Sequence, residues 1–168
     1  MSARAAGAAG TGGMAGAAGD GRTLHHVGFT VRDLAVSVPF YEWLGFAEQL
    51  RWSEGPDQCQ TGFGVEGAAV SVVQLLGYGM RLELIQWDAA SVRGEVPPPN
   101  QVGSAHLGVT VEDIDAFYDA VKDGPWEIVS PPQRDPSADW LQVVDPDGIR
   151  VEIICVGDQL GPDGAVYR

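Results

Sequence analysis

The stretch HVGFTVRDL, from His26 to Leu34, is written a second time as HLGVTVEDI, from His106 to Ile114. Each copy reads as a strand running into a helix. In an extended chain His26, Gly28 and Thr30 fall on one side and Val27, Phe29 and Val31 on the other. Asp33 then stands where a helix needs its N-cap, before LAVSVPFYEWLGF, and it recurs as Asp113 within VEDIDAFYDAVKDG, the second predicted helix. A phrase of this kind written twice predicts two like modules.

The repeat extends outward from that phrase. Phe40-Tyr41 returns as Phe117-Tyr118, and GMRLELI (Gly79 to Ile85) returns as GIRVEII (Gly148 to Ile154). In the first half, FAEQLRW from Phe46, AAVSVVQLL from Ala68 and MRLELIQW from Met80 are predicted strands, separated by turns at GPDQ and GYG. In the second, WEIVS, ADWLQVVD and IRVEIIC follow the helix. Pro39 predicts a kink or a late start for the first helix. The prolines of EVPPPNQVG predict an extended spacer. The expected fold class is α+β, with two tandem βαβββ modules forming a curved mixed sheet around a cleft. The predicted boundaries are a disordered Ala/Gly-rich tail over 1–21, a first module over 22–94, a linker over 95–102, a second module over 103–156 and a C-terminal tail over 157–168.

Ten Lys and Arg against 23 Asp and Glu give a formal charge of -13. Such a surface repels phosphate backbones and anionic lipid, so no nucleic-acid or membrane partner is expected. No run approaches the ~20 apolar residues of a membrane span, and the Ala/Gly opening lacks the apolar segment of a secretory signal. The two cysteines, Cys59 and Cys155, are too few for a disulfide framework, which fits a cytoplasmic location.

The chemistry sits on the repeated strand ends. Arg81, Glu83 and Ile85 share one face of their strand, as do Arg150, Glu152 and Ile154. A carboxylate in the middle of an apolar strand is costly unless paired, hydrogen-bonded or bound to a cation. If the two modules face a common cleft, His26, Glu83, His106 and Glu152 converge. Two imidazoles and two carboxylates neutralise a divalent ion and suit Zn, Ni, Fe, Co or Mn. Six-coordinate geometry would leave two adjacent positions open for substrate.

These pieces, H-[VL]-G-x-T-V-x-D-[LI] opening each half and DPDG-IRVEII closing the second, resemble the vicinal oxygen chelate superfamily over about residues 24 to 156. Its members include glyoxalase I, methylmalonyl-CoA epimerase, extradiol dioxygenases, fosfomycin-resistance transferases and bleomycin-binding proteins. The resemblance implies metal ligation by His26, Glu83, His106 and Glu152, chelation of neighbouring substrate oxygens, and removal of a proton next to a carbonyl. Glu83 and Glu152 are both candidates for the base. Four ligands favour an isomerase or lyase of the glyoxalase and epimerase type over an extradiol-type ring-cleaving dioxygenase, which keeps three positions open. A full ligand set disfavours a non-catalytic binding or resistance protein.

Arg81, Arg150 and Trp140 are candidate substrate contacts, the arginines as clamps for an anionic group or as partners of acidic neighbours. Trp52, Phe63 and Trp87 are further candidates for an apolar pocket wall. Alternation along the first strand places His25 on the face opposite His26. A homodimer is expected, with the modules pairing either within one chain or between two.

Overall fold

The computed structural model describes residues 23–88 and 90–156. The readings made above for 1–21 and 157–168 lie outside these residues. The first module consists of β1 (Val27–Val31), α1 (Leu34–Trp43), β2 (Ala47–Glu54), α2 (Pro56–Gln58), β3 (Val70–Gly77) and β4 (Met80–Trp87). The second consists of β5 (His106–Thr110), α3 (Ile114–Val121), β6 (Glu127–Ile128), β7 (Ala138–Val144) and β8 (Arg150–Val156). Each makes one open, curved four-stranded sheet, in the orders β1-β4-β3-β2 and β5-β8-β7-β6. In both, the first strand pairs parallel with the last and the remaining pairs are antiparallel. The expected fold class is the one observed.

Local chemistry explains the punctuation. Asp33 accepts from Ala35 N at the start of α1, and Asp113 accepts from Asp115 N and Ala116 N at the start of α3. Because Asp33 caps directly, α1 does not start late, and it runs through Pro39 to Trp43. Burial of Phe40 and Tyr41 just beyond the proline supplies packing that outweighs its missing N–H. Tyr78 and Gly79, both at positive φ, make the two-residue turn between β3 and β4. The WEIVS strand shrinks to Glu127–Ile128, since Pro131 and Pro132 soon follow and cannot donate to a ladder.

GPDQ, expected as a turn, opens a helical excursion instead. Pro56 takes the first helical position, and α2 passes into a wider π-type turn over Cys59–Phe63 that ends at Gly64 with φ 73°.

One continuous apolar core joins the modules. Val31, Val73, Leu75, Leu82 and Leu84 enter it from the first sheet, and Leu107, Val109, Leu141, Val151 and Ile153 from the second. Phe40 and Trp43 of α1 meet Trp126, with ring centroids 5.2 and 6.2 Å apart, and Trp43 meets Phe117 at 6.1 Å.

A buried polar contact reinforces that joint. Tyr41 Oη donates to Asp145 Oδ2 at 3.0 Å, while Asp145 Oδ1 accepts from the backbone N–H groups of Asp147 and Ile149. Burial, aided by the neighbouring carboxylate, holds the Tyr41 phenol protonated far above its ordinary range. Burial also pushes the Asp145 carboxyl up, against the pull of its hydrogen bonds. Asp147 meanwhile accepts from Arg32 N and Ser37 Oγ. The DPDG loop of the second module is therefore fastened to the β1–α1 corner of the first. Among the described residues no helix is long and apolar enough to cross a membrane.

Candidate metal centre and substrate cleft

Since alternate residues of each strand enter the core, the intervening ones line the opposite, open face. On the first sheet the register sets Gly28 beside Glu83 and Gln74 across from it. On the second it sets Gly108 beside Glu152 and Gln142 across from it. Space is tight at the first of these places: a Cβ on Gly28 would stand 3.2 Å from Ile85 Cδ1, which would have to give by a few tenths of an ångström. Without that side chain, the histidine two residues earlier can reach the carboxylate on the neighbouring strand. His26 Nε2 lies 3.4 Å from Glu83 Oε2, and His106 Nε2 lies 3.2 Å from Glu152 Oε2.

These separations suit adjacent ligands of one ion. Two donors each about 2.1 Å from a metal lie about 3.0 Å apart at a right angle and about 3.4 Å apart at the tetrahedral angle. The mixed imidazole and carboxylate set suits the divalent transition ions named above.

The structure brings the four expected ligands together as two pairs. Among the described residues, the one group of three or more ligand side chains whose atoms lie within 4.8 Å of one another is His25, His26 and Glu83. His106 and Glu152 form a pair apart from it within the same chain.

His25 departs from its expected place. Its Nδ1 lies 2.8 Å from His26 Nδ1, on the ligand side. The strand starts only at Val27, so both histidines precede the ladder and alternation does not govern them. When the shared proton sits on His26 Nδ1, the His26 Nε2 lone pair is free to ligate, and His25 fixes that tautomer.

The two glutamates differ in their surroundings. Glu83 is buried, and Gln74 Nε2 donates to its Oε1 at 3.0 Å. Glu152 is half-buried, and its register partner Gln142 instead accepts from Arg150 Nη1 at 2.7 Å. Arg150 is thus engaged within its own sheet. Arg81, its counterpart, is exposed beside His25 and Met80, on the far side of His26 from the main cleft. Trp140 lies in register with Ile154 on the open face of the second sheet.

A cleft of about 420 Å³ opens beside His26 and Glu83. Its floor is Trp52, Val72 and Ile85, and its rim is Glu54 with the α2 excursion, which contributes Gln58, Thr61 and Phe63. Trp87 stands behind Phe63, ring centroids 5.3 Å apart, rather than in the cleft. Gln74, Gln142, Glu54 and the excursion were missed in the sequence. The faint signal for the first two was a glutamine repeated at equivalent places, in SVVQLL and ADWLQVV.

Comparison with known proteins agrees with this architecture. A family model described as the Glyoxalase/Bleomycin resistance protein/Dioxygenase superfamily matches residues 23–153. A 2-epi-5-epi-valiolone epimerase from Actinomyces sp. is 28% identical over 142 residues, 78% of this chain and 78% of that protein. The solved structure of a glyoxalase family protein from Bacillus cereus superposes with a TM-score of 0.71 at 20% identity, covering 84% of this chain and 99% of that one. Glyoxalase I from Zea mays superposes at 0.58 and 19% identity, covering 80% of this chain and 45% of that one.

Proposed function

The chain belongs to the Glyoxalase/Bleomycin resistance protein/Dioxygenase superfamily, and from that premise we propose that it is a divalent-metal-dependent isomerase of the epimerase type. Its reaction would invert a carbon next to a carbonyl in a small oxygenated metabolite. The observation that carries this reading is the His–Glu pair found at the same register position on both open sheet faces.

In this reading the modules, 22–94 and 103–156, meet across a homodimer. The first sheet of one chain faces the second sheet of its partner, which unites His26 and Glu83 with His106 and Glu152 around one ion. Among the described residues His106 and Glu152 do not join the group formed by His25, His26 and Glu83, and a second copy would supply the missing half of each centre. The ion would be Zn, Ni, Fe, Co or Mn. Bound there, it supplies Lewis acidity toward neighbouring substrate oxygens.

The protein's own groups do the proton chemistry. Glu152 is proposed as the base, because its carboxylate is the more accessible and is not held by its register partner. It takes the proton from carbon, the C–H electron pair moves toward the carbonyl, and the new O–H resides on Glu152. Glu83, pinned by Gln74, holds its place as a fixed ligand on the opposite wall. Inversion requires that the planar enolate turn its other face toward Glu152 before the carboxyl gives the proton back, so that the C–H bond re-forms on the opposite side and Glu152 is again ionised. The Actinomyces relative, an epimerase by name, favours this outcome over a lyase reaction. Both cysteines are free thiols, which fits a reducing cytoplasm.

The test is a panel of hydroxyketones incubated with the purified protein in deuterated water, with metal content measured in parallel. One compound is expected to gain deuterium at the carbon next to its carbonyl. Glu152→Gln should slow that exchange by about 10²–10⁴-fold, with its amide oxygen still able to ligate. Absence of bound metal, or unchanged exchange in Glu152→Gln, would contradict the proposal.

A further inference from the structure

We propose that the cleft beside His26 and Glu83 selects a compact polyhydroxylated ketone without an anionic substituent, and that Glu54 determines this specificity by binding hydroxyls at the end away from the metal ligands. The inference rests on the functional reading above, in which the carbonyl end lies at His26 and Glu83.

Charge is the first argument. Among the described residues, Glu54 and Glu83 both line the cleft and no lysine or arginine does. The neighbouring Arg51 alternates to the other side of β2, where its guanidinium donates to Glu48 at 3.1 and 2.8 Å. A phosphate, carboxylate or other anionic substituent would therefore lose water beside Glu54 with no cation to receive it. Arg81 lines a different hollow, with Leu24 and His25.

Hydrogen-bonding chemistry is the second. Among the described residues, the Glu54 carboxylate has no hydrogen-bond partner, and its two oxygens can accept from two adjacent hydroxyls at once. Gln58 offers a donor and an acceptor beside it. Thr61 Oγ1 already donates to Asp57 O at 2.8 Å, so toward the cleft it acts as an acceptor. Acceptors outnumber donors at this end, which suits a ligand rich in O–H groups. Between the two ends, half-buried Trp52 presents a flat apolar surface to the C–H face of a ring.

The experiment is calorimetry of the full chain with two probes: a pentahydroxycyclohexanone and its phosphate monoester. The neutral ketone is expected to bind at least about 10-fold more tightly than the phosphate, the worth of one charge-assisted hydrogen bond. Glu54→Ala should weaken the neutral probe about 10-fold or more, Glu54→Gln less, and Glu54→Lys should turn the preference toward the phosphate. Equal or tighter binding of the phosphate, an unchanged affinity in Glu54→Ala, or binding of neither probe would overturn the inference. Metal analysis and His26→Ala keep the two readings apart. Should wild type hold no metal and His26→Ala bind the neutral ketone like wild type, the reaction-centre reading fails, while a Glu54 effect would still stand.

Discussion

In the first module Glu83 is buried, and Gln74 donates to the carboxylate oxygen that does not face His26. In the second, Glu152 is half-buried, and Gln142, at the matching register position, is held by Arg150 instead. The backbones repeat each other, yet among the described residues one carboxylate is fixed at both oxygens and the other is held by its histidine alone. A duplicated fold can thus divide one job between its halves. The rigid side suits permanent ligation, and the looser side suits a carboxylate that picks up a proton and gives it back.

That contrast can be broken most severely at the glutamines. Gln74→Leu is expected to weaken metal affinity about 10- to 100-fold, the usual effect of removing a group that orients a ligand. Gln142→Leu should leave the affinity nearly unchanged, since Gln142 bonds Arg150 and not Glu152. Competition with a chelator measures both, and equal losses in the two variants would show the halves to be equivalent.

A smaller effect is expected at the repeated tyrosines. Tyr41 is fully buried and donates to Asp145 across the module joint, whereas its counterpart Tyr118 is half-buried with Lys122 Nζ 6.0 Å from its ring centroid. Tyr41→Phe should cost about 1–2 kcal/mol, because Asp145 keeps its backbone donors but loses the phenol. Tyr118→Phe should stay within about 0.5 kcal/mol. Urea unfolding distinguishes the two, and a reversed order would place the joint elsewhere.

How much of this was legible in the sequence follows from what each feature depends on. Alternation and N-caps are local, so β4 (Met80–Trp87) and the capping Asp33 could be read directly, whereas the repeat named His26, Glu83, His106 and Glu152 as one set without revealing that they divide into two pairs. His25 was misplaced because alternation was applied ahead of the point where the ladder begins. The excursion over 56–63 was missed because Gly and Pro signal a break in a strand without saying what replaces it. Gln74 and Gln142 depend on strand register, and their different partners depend on where Arg150 points. Neither is written in local pattern. The fastening of Asp145 to Tyr41 joins residues from different modules, which no periodicity reports.

The most direct test of the account is whether two chains share each centre. His26→Ala/Glu83→Gln removes one half-site and His106→Ala/Glu152→Gln removes the other. Each double variant alone is expected to hold no stoichiometric metal. After subunit exchange between the two, a mixed dimer regains one complete centre of its two, so the mixture should hold about one quarter of the wild-type metal under random exchange. No recovery in a mixture whose subunits have demonstrably exchanged, or full metal content in either variant alone, would contradict a centre built from two chains.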